Sequence, residues 1–504
     1  MEVLTTINDF IWNPMAYFAL AVGLFFTVLT AGVQFRRIPD MFRAMVQKGE
    51  EKGGIAPMQA LLLTLASRVG VGNIAGVGTA IAAGGPGALF WMVVCALLGS
   101  ASAFAESTLA QVYKRKVDGE HRGGIPFYVE HGLRLKWLAA VIAVITLVGY
   151  GFVFPGVQSN NIATSIEGAF QVPTWISAVG VTALFAFVIL GGTKRIVRAA
   201  EAMVPVMAIG YILAALAIIA FNADLIAPTI SLVMTSAFGT HQVFGGIAGA
   251  AVAWGVRRAV FSNVAGVGEG TFGSAAAAVS HPAKQGLVQA FSIFIDTVVV
   301  CHATGIMILM TGSYNVVAPD GTPLVTNVPD LEAGPAYTQN ALNSLSSGIG
   351  PGFVAVALFL FAFTTLIAFF YIASTNLTYL TGKNTGPLTW VLKLGMLAII
   401  FYGSVESAST IWAIGDIGYG TLGWLNMICI LLLAPVVRKV LKDYDAQRRQ
   451  GLDPDFDPTR LGITGADYWT SQRTCLLPTV DAAAPSEDSE TARTRRPAEA
   501  PETF

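Results

Sequence analysis

"LASRVGVGNIAGVGTAI", residues 65–81, departs from its surroundings. Apolar runs long enough to enter a bilayer flank it. Yet it carries Gly70, Gly72, Gly76 and Gly78, with Gly84 just beyond, together with Arg68 and Asn73. Lipid offers no partner to a free N–H or C=O, so unwound backbone persists there only where protein or a cavity covers it. Free N–H groups at the start of a half-helix attract a carboxylate. Freed carbonyls at a half-helix end coordinate a hard cation such as Na+. One break therefore offers both poles of an amino-acid and sodium site. The plainer reading is that the glycines only let helices pack closely.

The break has a counterpart, and this favours the functional reading. Residues 262–270, "SNVAGVGEG", echo residues 67–72, "SRVGVG", five apolar spans earlier. Two Gly-interrupted spans in corresponding positions of two halves point to an inverted-repeat transporter with its site at the breaks. An odd number of spans per repeat gives the halves opposite topology.

Composition agrees. Of 504 residues, 54% are hydrophobic and 12% charged, about half the charge of an ordinary soluble domain. A span needs roughly 20 mainly apolar residues. Eleven such runs are read at about 15–34, 57–82, 87–112, 137–158, 174–192, 201–221, 243–279, 287–312, 351–381, 388–403 and 409–434. No Lys or Arg precedes the first, so it reads as a retained span rather than a cleaved signal. Basic residues fall in alternate loops: Arg36, Arg37, Arg43, Lys48 and Lys52; then Lys114 to Lys136; Lys194, Arg195 and Arg198; Lys284; Lys383; Arg438 and Lys439. Loops 159–173, 223–240, 313–350 and 404–408 have none. The positive-inside tendency then places the N-terminus outside and the C-terminus in the cytoplasm of a plasma membrane, a bacterial inner membrane. Arg257 and Arg258, inside the seventh span, are the exception. Basic residues form no single patch, so nucleic acid is not an expected partner. The cysteines and histidines show no metal-ligand spacing.

"VGVGNIAGVGTAIAAGGPGALFWM" (69–92) closely resembles the signature of the alanine or glycine:cation symporter family. "GVQSN" (156–160), "GVRRAVFSNVAGVG" (255–268), "HPAKQGLVQAFSIFIDTVVVC" (281–301) and "FAFTTLIAFFYIASTN" (361–376) match in order, so the resemblance covers about residues 10 to 440. It implies an all-α polytopic membrane protein with a LeuT-type fold of two inverted five-helix repeats, 57–222 and 223–440, after a separate N-terminal span and loop in 1–56. It also implies uptake of a small neutral amino acid, typically alanine or glycine, coupled to Na+, without an organic cofactor and by a monomer. By resemblance, Val71, Gly72 and Asn73 meet the substrate carboxylate, and Gln158 faces the substrate. Phe261, Ser262 and Asn263 line the second break, and Phe369 roofs the pocket where several members have Trp. Thr364 and Thr365 join the carbonyls of Ala66 and Val69 around Na+. Val264 departs from the family's "SNEAGMG", which has a carboxylate there; Glu269 supplies one five residues later. Arg68 begins the first break, as in some members.

Charges within spans are costly and mark function or pairing. Asp296 in "FSIFIDTVVV" is expected to satisfy the broken-helix backbone or an arginine such as Arg68. Glu106 and Lys393 are read as paired or snorkelling, and His302 as a packed helix residue. Proton coupling within the same fold, or a channel, is the alternative function. There is no HExxH, shared pair of catalytic carboxylates or Walker-type loop, so an enzyme or ATP-driven pump is not expected. Loop 313–350 is read as an outer lid or a passive connector. Residues 441–504, Pro-, Ala- and charge-rich, are expected to form a disordered tail.

Overall fold

The computed structural model of the protein describes residues 2–47, 53–345, 347–383 and 386–476. Among these, helices dominate; the strands form two short antiparallel hairpins, Arg115–Val117 with Glu120–Arg122 and Asn315–Val317 with Pro323–Thr326. Eight helices are long and apolar enough to cross a membrane, and a ninth candidate is the pair Pro57–Arg68 and Gly72–Gly84, bent by 55°. The remaining apolar segments fold as Thr174–Ile189 and as an interrupted helix, Ala248–Asn263 and Gly270–Ala276.

The helices sort into an inner and an outer set. Buried residues make up 78% of the most apolar stretch of Ile349–Thr381 and 67% of that of Ala88–Val112, but only 28% for Arg195–Phe221. The outer set turns Val206, Leu213 and Phe221 outward. Such a continuous apolar face is a liability in water and the natural contact surface in lipid.

Local sequence explains the two interruptions. Pro57 starts its helix at a position needing no N–H. That helix stops at Val69, which is extended (φ −76°, ψ 91°), and resumes through a wider π-helical turn, Gly72–Gly76. Such turns lie frequently at functional sites. Ala248–Asn263 ends at Val264 in the left-handed region (φ 47°), followed by Gly266 and Gly268 at φ 81° and 95°. Glycine enters that region without steric cost; a β-branched valine does so only when surrounding structure holds it there.

Three expectations are corrected. Residues 159–170 are not a loop but the last turns of the helix that ends at Phe170. Their polarity serves the interior: Asn160 Nδ2 donates to Gly403 O (2.9 Å) and Glu406 O (2.8 Å). Within 223–240, likewise read as a loop, Ile226–Ala237 is helical. The third correction concerns the tail. Ala434–Arg449 is a helix, and the chain then returns to the body through Asp467–Leu476. Trp469 Nε1 donates to Gln111 O (2.9 Å), Phe456 N–H to Ser280 O (3.0 Å), and Lys114 Nζ sits 4.4 Å from the Tyr468 ring centroid. A few aromatic anchors offset the ordering cost, and average composition conceals them. Residues 477–504 lie outside the described residues, as do Lys48 and Lys52. Trp469→Ala is expected to lower stability by about 3 kcal/mol, read as a lower melting temperature and as new protease cleavage between Arg449 and Asp467. Unchanged melting and cleavage would count against the anchor.

Segment 313–350 folds back on the body through its hairpin and the helix Pro335–Asn343. A Cβ on Gly78 would lie 2.7 Å from Gly334 O, so this segment rests directly on the half-helix Val77–Gly84.

Candidate binding site

The two interruptions meet. A Cβ on Gly72 would lie 2.9 Å from Ser262 Cα, so only glycine allows the two backbones this approach. A Cβ on Gly70 would lie 2.7 Å from Thr365 Oγ1 and 3.1 Å from Gln158 Oε1. Thus both breaks, Gln158 and Thr365 converge, although up to 296 positions of sequence separate them.

Asn73 holds the first break open. Its Oδ1 accepts the Gly70 N–H (2.9 Å), and its carbonyl accepts the Thr304 hydroxyl (2.7 Å). The Gly70 amide is thereby turned from Ala66 O, its partner in a continuous helix. Val71 N–H donates to Gln158 Oε1 at 3.3 Å, a long bond. A substrate carboxylate is a stronger acceptor for that amide than a neutral side-chain oxygen.

Asp296 joins the breaks. Its Oδ1 accepts Asn73 Nδ2 (2.7 Å), and its Oδ2 accepts Ser262 Oγ (3.0 Å) and Thr297 Oγ1 (2.8 Å). Asn263 Nδ2 donates to Thr297 Oγ1 (3.0 Å), and its Oδ1 accepts Ala265 N–H (2.9 Å). Asp296 is expected from the sequence to satisfy the broken-helix backbone; its carboxylate instead meets side chains of the broken segments and of its own helix. Its suggested pairing with Arg68 is not seen. Arg68 instead bonds Ser292 Oγ and Gln289 O (3.3 Å), and its Nη2 lies 3.9 Å from Glu106 Oε1. Asp296 sits in a further π-helical stretch, Phe294–Cys301.

The four residues assigned to Na+ are not equally placed. Thr365 Oγ1 lies 3.5 Å from Val69 O while donating to Phe361 O (2.9 Å). Thr364 Oγ1 turns elsewhere, toward Met207 Sδ at 3.7 Å and Phe361 O at 2.8 Å. Both hydroxyls thus bond Phe361 O, and of the two Thr365 Oγ1 is the one that lies against Val69 O. Phe369 is wholly buried in an aromatic cluster, 5.1 Å from the Tyr150 ring and 6.1 Å from Phe154. The Phe261 ring lies 4.9 Å from both Trp412 and Tyr419.

The exceptional arginines are explained by a partner no motif announced. Asp416 accepts Arg257 Nη2 at 2.7 Å and Arg258 twice at 3.2 Å. The Arg258 guanidinium lies over Trp254, Trp412 and Phe261. Asp416 stands among the charges read within spans, but sequence reading missed Tyr150, Tyr419 and Asn426, which hydrogen-bond the carboxylates Glu269 and Glu106. Their only sequence signal is polarity within an apolar run.

The sequence matches the profile of the sodium:alanine symporter family over residues 1–458. It is 49% identical over 475 residues to the putative sodium/proton-dependent alanine carrier protein YrbD of Bacillus subtilis, covering 94% of this chain and 98% of that one. It is 46% identical to the sodium/proton-dependent alanine carrier protein of Bacillus sp. strain PS3, over 85% and 97% of the two chains. Identity to the sodium/alanine symporter AgcS of Methanococcus maripaludis is 34%, over 89% and 98%. The solved structure of MhsT in complex with L-phenylalanine matches with a TM-score of 0.50 and 14% identity, over 78% of this chain and 99% of that one, a likeness of fold. A helical polytopic membrane transporter rather than an enzyme, the chain belongs to the sodium:alanine symporter family.

Proposed function

We propose that the protein imports a small neutral amino acid, alanine or glycine, on an inward Na+ gradient. The observation that carries this reading is the approach of Gly72 to Ser262, which sets two unwound backbones against each other. The substrate carboxylate takes the Val71–Asn73 amides in place of Gln158 Oε1. Phe261, Ser262 and Asn263 supply the opposite wall, and Phe369 acts through the aromatic cluster behind it. Na+ takes Val69 O, Ala66 O and Thr365 Oγ1, oxygens suited to a hard cation. Thr364 belongs to the packing against Met207 rather than to the ion.

Eleven spans, arranged as one plus two inverted sets of five, place the N-terminus outside and the C-terminus in the cytoplasm, and the protein works as a monomer. Pro57–Arg68 and Gly270–Ala276 are then the cytoplasmic half-helices. Alternating access is a rocking of the broken spans and their partners against the remaining helices around a fixed site. Arg258 and Asp416, stacked behind Phe261, close its outer side.

Labelled alanine and glycine uptake into proteoliposomes, with and without a Na+ gradient, tests the reading; accumulation indifferent to Na+ would overturn it. Thr365→Ala is expected to raise the Na+ concentration for half-maximal uptake about tenfold, the equivalent of roughly 1.4 kcal/mol of lost ligation. Thr364→Ala is expected to shift it less than twofold. The reverse order would move the ion to the other face of the helix.

A further inference from the structure

Tyr128, Asn426 and Glu106 belong to three different helices, and all three are fully buried. Asn426 stands in Ala408–Leu432, Glu106 in Ala88–Val112, and Tyr128 in the short helix Ile125–His131. Asn426 Nδ2 donates to Glu106 Oε2 (2.8 Å) and to Gly266 O (2.8 Å), and its Oδ1 accepts the Tyr128 hydroxyl. The chemistry fixes which way the amide points. Turned over, its oxygen would face a carboxylate and a carbonyl, both acceptors. Glu106 in turn stands 3.9 Å from Arg68 Nη2, at the end of the first half-helix. One side chain thus meets the second break directly and reaches the first through a carboxylate.

The glycines of the second break let it lie against this span. A Cβ on Gly266 would lie 2.9 Å from Met427 Cε, and one on Gly268 would lie 3.1 Å from Asn426 Cγ. Gly266 is left-handed, at φ 81°, which takes its carbonyl out of the helical ladder. A buried carbonyl without a donor is costly, and Asn426 supplies a donor from a different span. The substrate side of the break is separate. Among the described residues, no hydrogen bond of the Asn426 side chain reaches Val71, Asn73, Gln158, Ser262 or Thr365.

We propose that Asn426 is a positioning residue for translocation, pinning the second break to Ala408–Leu432 at the boundary across which the two helix sets move. The inference rests on the rocking motion proposed above. In that motion the broken spans travel with Ala88–Val112, while Ala408–Leu432 and Ile125–His131 belong to the remaining helices. Asn426 is bonded to both sets, to Tyr128 on one side and to Glu106 and Gly266 O on the other. A hydrogen bond tolerates little stretching, so a bond across a sliding boundary persists only near the pivot, where displacement is least. The pin lets Gly270–Ala276 turn about a fixed Gly266. Without it, Gly266 O and Glu106 lose a donor, and the two half-helices lose their common pivot. The amides and hydroxyls proposed to hold alanine keep their own partners. The pin therefore governs the rate of passage rather than the affinity for alanine.

The test uses the full chain, with labelled-alanine binding in detergent with Na+, and with alanine exchange and Na+-driven uptake in proteoliposomes. Asn426→Asp keeps the shape of the side chain and loses both N–H donors. It is expected to bind alanine within about twofold of wild type, while its maximal uptake and exchange rates fall about tenfold or more. Tyr128→Phe removes only the phenol donor. It is expected to slow both rates about threefold with alanine binding unchanged. Size-exclusion profiles and melting temperatures report folding, and should Asn426→Asp not fold, the rates of Tyr128→Phe decide. A wild-type rate in either folded variant would overturn the pin. So would binding and rate lost in equal proportion, which mark a residue of the binding site. Absence of both exchange and Na+-driven uptake in the wild type would instead overturn the transport reading beneath it.

Discussion

Asp296→Ala is expected to abolish alanine accumulation in proteoliposomes, with uptake falling at least a hundredfold. The carboxylate collects donors from three segments: Asn73 at the first break, Ser262 at the second, and Thr297 on its own helix. Removing it takes the carboxylate acceptor from three buried donors, at about 1–3 kcal/mol for each one left unsatisfied. What remains is weaker: Asn73 Nδ2 keeps the residue-296 carbonyl at 3.2 Å, and Asn73 Nδ2 and Ser262 Oγ keep Cys301 Sγ at 3.3 and 3.2 Å. The breaks would then relax independently, and the amides proposed to bind the substrate would lose their common orientation. Asp296→Asn is the informative companion. Its amide oxygen still accepts from Asn73, while its NH2 is able to donate to the hydroxyl oxygens, so the fold is expected to persist with reduced uptake. Folded, fully active Asp296→Ala protein, judged by size-exclusion profile and uptake together, would remove Asp296 from the site.

Gly72→Ala is expected to raise the half-saturating alanine concentration more than tenfold. The added Cβ meets Ser262 Cα at 2.9 Å and Ser262 Cβ at 3.1 Å. Backbone on both sides makes this contact, so no side-chain rotation relieves it. The breaks must separate by several tenths of an ångström, and catalytic or binding geometry tolerates such displacement poorly. Gly180→Ala supplies the contrast. A Cβ there meets nothing within 4 Å, and it replaces glycine by a better helix former in Thr174–Ile189. Uptake by Gly180→Ala is expected at the wild-type rate. If both substitutions behaved alike, close approach at Gly72 would not be what the site requires.

Much of the fold was legible because its signals are local. Apolar runs of sufficient length mark helices that lipid can surround, and glycines mark where the second and seventh runs stop being regular. Failures arose where polarity has two possible causes. Ser159, Asn160 and Asn161 resemble a solvated loop, yet they are buried, and Asn160 bonds backbone carbonyls of a neighbouring helix. Residues 450–476 resemble a solvated tail, yet Phe456, Tyr468 and Trp469 pin them down. Composition averages over such anchors, whereas folding depends on where each one lands.

The site shows the same division. Sequence placed Val71 to Asn73, Gln158, Ser262 and Thr365 among the candidates, and the tertiary structure brings these segments together. It assigned Thr364 and Thr365 alike and did not show that Thr365 is the one that lies against Val69 O, because that depends on the rotation of Ile349–Thr381 about its axis. Nor could it pair Arg68 with Glu106, or Arg257 and Arg258 with Asp416, since a buried charge reveals its need for a partner but not the partner's identity. That two helices break inside an apolar chain is legible in the residues alone, because glycine-rich runs interrupt the apolar pattern. That the breaks face each other across Gly72 and Ser262, that Asp296 ties them together, and that Glu269 Oε1 meets no donor emerges only once the helices are packed. Unwinding follows from local steric freedom, whereas hydrogen-bond completion depends on donors arriving from helices far away in the chain.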